Sequence, residues 1–189
     1  MDYPTKMEIN GKTYDIDTNY KTALACFKAI NDNELKDLER TIAVVTLLLG
    51  KDVPIEDMKE AIEKCGVYLR CGKKHNVSNR EVDVDYFQDE SAIRTSIRQC
   101  YHINLNTEQD IHWWEYNELI EGLTEETLLS KIREIRNYDL SKEKDPKLRQ
   151  KIQEAKDFYA IQKEEAPMTD EEKKNIEQFY KLTGIQKEV

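Results

Sequence analysis

The feature that most limits what this chain can fold into is the repeated return of apolar residues at helical spacing. Tyr20, Ala23, Leu24, Phe27 and Ile30 fall on one helical stripe, and Leu35, Leu38, Ile42, Val45 and Leu49 form a second that stops at Gly50. Val44, Leu47 and Leu48 make the end of the second helix apolar on nearly all sides, which predicts a central helix running through the core. Pro54 suits a first helical turn, and Met58, Ala61, Ile62, Cys65 and Leu69 continue as a third stripe. With only 6 Gly and 4 Pro in 189 residues, little interrupts these patterns.

One segment departs from helical periodicity. Met7-Glu8-Ile9 and Thr13-Tyr14-Asp15-Ile16 alternate in polarity around Asn10-Gly11, a pair that tolerates the positive φ of a hairpin turn. Two strands are marginal alone, so the face formed by Ile9, Tyr14 and Ile16 must rest on the helices. The expected fold is therefore mainly α, a multi-helix globular domain with a short N-terminal β-hairpin.

Further along, Gly72 to Val82 is polar and aperiodic and reads as an exposed loop. A helix with Ile93, Ile97, Cys100 and Tyr101 follows, then a turn at Asn104–Thr107 in which Thr107 and Asp110 are spaced as a helix cap. The next helix holds His112, Trp113, Trp114, Tyr116, Leu119, Ile120 and Leu123, and Thr124-Glu125-Glu126 caps another with Leu128, Ile132 and Ile135. Asp145-Pro146 opens a helix with Leu148, Ile152, Ala155 and Tyr159 on one side. After Pro167, Thr169 and Glu172 cap a last helix with Ile176, Phe179 and Tyr180. The organisation expected is one domain over 1–162 and a C-terminal helical tail over 163–189.

Charge and targeting signals narrow the function classes. Lys+Arg is 29 against 38 Asp+Glu, a net charge of −9. Residues 141–189 hold 11 of each sign, so 1–140 carry 18 basic and 27 acidic residues and all of the excess. Binding nucleic acid or anionic lipid requires Lys or Arg to neutralise negative charge, which disfavours both partners. The longest apolar run, Ile42–Leu49, is far below the roughly 20 residues that span a bilayer, and Met1-Asp2-Tyr3-Pro4 lacks the start of a secretory signal. Four cysteines, Cys26, Cys65, Cys71 and Cys100, are read as reduced thiols, and the expected location is the cytoplasm.

Chemistry has no local motif. The three histidines, His75, His102 and His112, are scattered, and Cys65, Cys71 and His75 lack both a C-x2-C knuckle and a fourth ligand for zinc. Asp83, Asp85, Asp89 and Glu90 lack the Gly and terminal Glu of a calcium loop and read as solvated surface. No nucleophile elbow, P-loop or dinucleotide fingerprint occurs. The expectation is a protein-binding chain with no catalytic residue, metal or cofactor.

Its most distinctive feature is His112-Trp113-Trp114, where both tryptophans are adjacent and so point about 100° apart on a helix. Trp113 shares a face with Tyr116, Ile120 and Leu123 and reads as core. Trp114 shares its side with Ile111, Glu118 and Glu121 and is either a boundary residue or an interface anchor. Ile111, His112, Trp114 and Tyr116 are the protein-binding candidates, against the competing reading that both tryptophans pack internally.

Several ordered segments carry a resemblance. They are Asp83-Val84-Asp85-Tyr86, Tyr101-His102-Ile103-Asn104-Leu105, Ile111-His112-Trp113-Trp114, Leu119-Ile120-Glu121-Gly122-Leu123, Leu129-Ser130-Lys131-Ile132, the Arg136 region and Tyr159-Ala160. With the hairpin and Tyr68-Leu69-Arg70-Cys71-Gly72, the span from about residue 5 to 162 resembles the gene-product-fifteen type of bacteriophage tail assembly chaperone, found in phages and prophages of Gram-positive bacteria. Tyr116 stands where that family often has Phe. The resemblance implies a non-enzymatic chaperone or adaptor in the bacterial host's cytoplasm that binds the tape-measure protein during tail assembly. A structural subunit kept in the tail is the alternative, and self-association stays open.

Overall fold

Asn10 and Gly11 both take positive φ, 46° and 75°, the conformation that lets a two-residue turn follow the twist of its strands. In the computed structural model, which describes residues 2–73, 82–108 and 110–162, β1 (Lys6–Ile9) pairs antiparallel with β2 (Lys12–Asp15), Met7 opposite Tyr14. Ile9 and Ile16 are buried, Tyr14 packs partly against the core, and Met7 joins them. Polar contacts fix the turn to the start of the third helix. Asn10 Nδ2 donates to Asp57 Oδ1 at 2.7 Å, and Lys12 Nζ to Asp57 Oδ2 at 3.0 Å. These two donors hold the Asp57 carboxyl below the usual carboxylate range.

Seven α-helices follow among the described residues: α1 (Tyr20–Asn31), α2 (Asp37–Leu49), α3 (Met58–Leu69), α4 (Glu90–Tyr101), α5 (Trp113–Glu121), α6 (Leu128–Asn137) and α7 (Pro146–Tyr159). The mainly α fold with an N-terminal hairpin is thus observed. Helix α2 packs on α1 and α3, α5 joins α1 and α4, and α6 lies between α4 and α7. One core runs through them, with Ile9, Ala23, Cys26, Val45, Leu48, Ala61 and Cys65 from the first half and Ile93, Ile97, Trp113 and Leu129 from the second.

Three local expectations are corrected. Helix α2 is not enclosed: Val44, Val45, Leu48 and Leu49 are buried, but Leu38 is 66% exposed and Ile42 and Leu47 are also open to solvent. Thr107 caps no helix; its N–H bonds Asn104 O in a turn, and α5 begins only after His112. Thr127, not Thr124, precedes α6, and its hydroxyl donates to Thr124 O at 2.9 Å. Asp145 does cap α7, its Oδ1 accepting from the Lys147 N–H at 2.9 Å.

By contact, the described residues up to Tyr159 form one compact unit. The expected helix with Ile176, Phe179 and Tyr180, and most of the expected loop from Gly72 to Val82, lie outside the described residues.

Candidate protein-binding surface

Residues 111–116 join distant parts of the chain. The Tyr20 N–H donates to Ile111 O at 3.0 Å, the Trp113 N–H donates to Thr18 O at 2.7 Å, and Asn19 bridges His112. His112 caps α5: its Nδ1 accepts from the Trp114 N–H at 3.0 Å. That bond uses the Nδ1 lone pair, so in the neutral ring the proton sits on Nε2, which donates to Pro4 O at 3.1 Å. The imidazole stacks on Tyr3, with centroids 4.8 Å apart.

The two indoles then grip one helix end. Trp113 Nε1 donates to Leu69 O and Trp114 Nε1 to Tyr68 O, both at 3.0 Å. These are carbonyls of the last turn of α3, beyond the helix's own ladder of N–H donors, and Tyr68 O also accepts the Cys71 N–H at 2.9 Å. Gly72, at φ +70°, brings its backbone against the Trp114 ring, and a Cβ there would lie 3.1 Å from Cη2. The tryptophan pair is thus a double clamp on the end of α3.

This geometry corrects part of the expected site. Ile111 is 4% exposed and Tyr116 2%, so neither side chain is presented to a partner. The Tyr116 ring stacks on Tyr20 at 4.6 Å and on Trp113 at 5.9 Å. Trp113 is core, as its face predicts. Trp114 and His112 are half-buried, and their polar atoms are engaged within the chain.

The acidic group from Asp83 to Glu90 is also not simply solvated surface. Asp89 is buried and receives Arg136 Nη1 and Nη2 at 2.6 and 2.8 Å. Arg136 further donates to Asp83 O at 2.8 Å and, through Nε, to Tyr159 O at 2.6 Å. Asp85 Oδ1 accepts from the Phe87 and Gln88 N–H groups, each at 2.8 Å, and Asp83 Oδ2 takes Arg133 Nε at 3.0 Å. Sequence spacing does not reveal the Asp89–Arg136 pair, because 47 residues separate its members.

Among the described residues, no group of three or more His, Cys, Asp and Glu side chains is placed to hold a metal ion. Cys65 is buried, Cys71 is half-buried and His75 lies outside the described residues. No helix among the described residues is long and apolar enough to cross a membrane. What the surface does offer is apolar: Leu38, Ile42 and Ile30 around α1 and α2, Ile55 before α3, and Phe158 on α7, which is 79% exposed. It also offers a groove of about 440 Å³ between α1 and α4.

Comparison with known families supplies the missing context, since residues 2–161 match the family described as bacteriophage Gp15 protein. The chain belongs to the bacteriophage Gp15 family. This is a phage protein, and the matched span ends within two residues of the Tyr159 carbonyl that Arg136 holds. No curated protein and no solved structure matches it. The segments that resemble the family are the joints of the fold: Tyr86, whose ring lies 5.5 Å from Trp113; Gly122, packed against the Tyr101 hydroxyl; and Arg136.

Proposed function

We propose that this chain is a non-enzymatic chaperone or adaptor that binds the tape-measure protein during tail morphogenesis, acting in the cytoplasm of the bacterial host. The observation that supports this reading is membership of the Gp15 phage family over residues 2–161. Membership makes other phage proteins the natural partners. The surface is compatible with it: an acidic helical body bearing exposed apolar residues such as Leu38, Ile42 and Phe158 suits transient cover of a partner helix without self-precipitation.

The test is affinity purification of the tagged full chain from cells making phage, with the finished particles analysed alongside by mass spectrometry. A chaperone brings down the tape-measure protein from lysate and is missing from particles. Presence in particles in many copies identifies a structural tail subunit instead, and recovery of neither outcome removes the tail role.

A further inference from the structure

Helix α7 is the one α-helix among the described residues with no buried residue. It meets α6 across a groove of about 300 Å³ lined by Ile135, Tyr138, Ile152 and Ala155, so the packing that sustains an amphipathic helix is incomplete here. Beside that groove runs a second stripe. Lys147, Lys151, Glu154 and Phe158, spaced i, i+4, i+7 and i+11, fall within about 60° of one another around the axis, and all four are exposed. No ion pair engages Lys147 or Lys151 among the described residues, and Glu154 Oε1 accepts the Gln150 side-chain amide at 2.9 Å. Phe158, 79% exposed, does not sit on a frayed end: Arg136 Nε pins the carbonyl of Tyr159, and the Tyr159 ring meets the Phe158 ring edge-to-face at 4.9 Å.

This stripe is its own complement when reversed: cation, cation, carboxylate, ring on one helix meets ring, carboxylate, cation, cation on another. We propose that it is a dimer interface, in which α7 packs antiparallel on α7 of a second copy of the chain about a two-fold axis between residues 152 and 153. In that register Lys151 of each copy faces Glu154 of the other, and Phe158 of each covers the stem and ammonium of the other's Lys147. The two ring–lysine contacts lie about 16 Å apart, with both ion pairs between them. Side chains on a helix lean toward its N-terminus, so the antiparallel arrangement turns each Phe158 ring toward Lys151 of the other copy and the mouth of the groove at Ile152. Charge complementarity selects both the occupant and its direction. A parallel pair would set Lys147 on Lys147 and Lys151 on Lys151, and a uniformly acidic or basic partner helix would repel one part of the stripe. The acidic excess of the chain lies in residues 1–140, whereas α7 carries four basic residues and two acidic ones, so none of that excess opposes the contact from α7 itself. A single helix pair is small beside the roughly 1,200–2,000 Å² of a stable interface, which makes the dimer weak and concentration-dependent. The pairing uses neither Leu38 nor Ile42 of α2 and does not rest on the function proposed above.

Sedimentation equilibrium of the full chain over a wide concentration range is measured for wild type, Phe158→Ala, Lys151→Glu, Glu154→Lys, and an equimolar mixture of the last two. Wild type is expected to pass from monomer to dimer as concentration rises. Lys151→Glu sets carboxylate against carboxylate and Glu154→Lys sets ammonium against ammonium, so each alone, like Phe158→Ala, is expected to dimerise with about tenfold or more weaker affinity. In the mixture every carboxylate again faces an ammonium, and affinity is expected to return to within about threefold of wild type. Circular dichroism checks that each variant keeps wild-type helix content, and recovery in the mixture is itself a readout that a folding defect would not give. A wild-type chain that stays monomeric at millimolar concentration overturns the proposal. So does a mixture that associates no more tightly than its two components alone, or a dimer untouched by all three substitutions, which moves the contact to another face such as that of Leu38 and Ile42.

Discussion

Arg136 holds Asp89 with both terminal guanidinium nitrogens, in a setting where the two side chains are only 8% and 4% exposed. The same arginine also reaches the carbonyls of Asp83 and Tyr159, and Lys156 Nζ donates to Arg136 O and Tyr138 O at 2.7 and 2.8 Å. One side chain thereby ties the segment before α4, helix α6 and the end of α7 to one another.

Breaking this pair strands a charge in the interior. Arg136→Ala is expected to lower stability by about 3–5 kcal/mol, measured as the shift of the urea midpoint at constant slope. Arg136→Lys is expected to recover little of that loss, because an ammonium cannot make the paired bonds to Asp89 while reaching two carbonyls. A lysine variant as stable as wild type would mean that charge alone, not the planar fork, holds the joint.

Trp114→Ala separates a binding anchor from a folding one. The indole donates to Tyr68 O, which also accepts the Cys71 N–H, and lies against Gly72, so the variant is expected to lose about 2–4 kcal/mol of stability, chiefly from lost packing. A denaturation curve beside a binding assay decides it: unchanged stability with weakened partner binding would restore Trp114 to the interface.

Alkaline pH is expected to destabilise the core. Burial pushes the Cys26 and Cys65 thiols up to about 12 from an ordinary value of 9.0. Well below pH 9 both folded and unfolded chains keep these protons, and the stabilisation is fully present. As pH rises further the unfolded chain releases them first, so folding stability falls, by about 2 kcal/mol for the pair between pH 9 and 10. Urea titrations with reductant at pH 8, 9 and 10 measure it, and Cys26→Ala is expected to flatten the slope by about half. A pH-independent midpoint over that range would show that the thiols are reached by water.

Much of the fold was legible because its signals are local. Asn10-Gly11 announces its hairpin, Pro146 its helix start, and the Met58–Leu69 stripe its buried face, since each depends on residues within a turn or two. Leu38 and Ile42 show where that logic stops. They lie on the same line of α2 as Val45 and Leu49, yet the first pair is exposed and the second buried. Periodicity fixes which way a side chain points; it does not say how far along the helix a neighbour extends.

The candidate site was legible only in location. His112-Trp113-Trp114 is the centre of a network, but the chain itself occupies most of it, through Pro4, Thr18, Tyr68 and Leu69. Two adjacent aromatics on a short helix look the same in sequence whether their partners are foreign or 44 residues upstream.

The bridge between Asn19 and His112 also sets a timetable for synthesis. The strand-like segment before α1 finds its partner only after more than ninety further residues have been translated, which takes about 5–20 s at roughly 5–20 residues per second. Until then, the sides of Tyr20, Phe27 and Leu69 that face Trp113 and Tyr116 have nothing to rest on. A ribosome stalled between α4 and α5 would therefore display an unfinished N-terminal half, and the nascent chain would itself be a client for the host's folding machinery before it could serve any partner of its own.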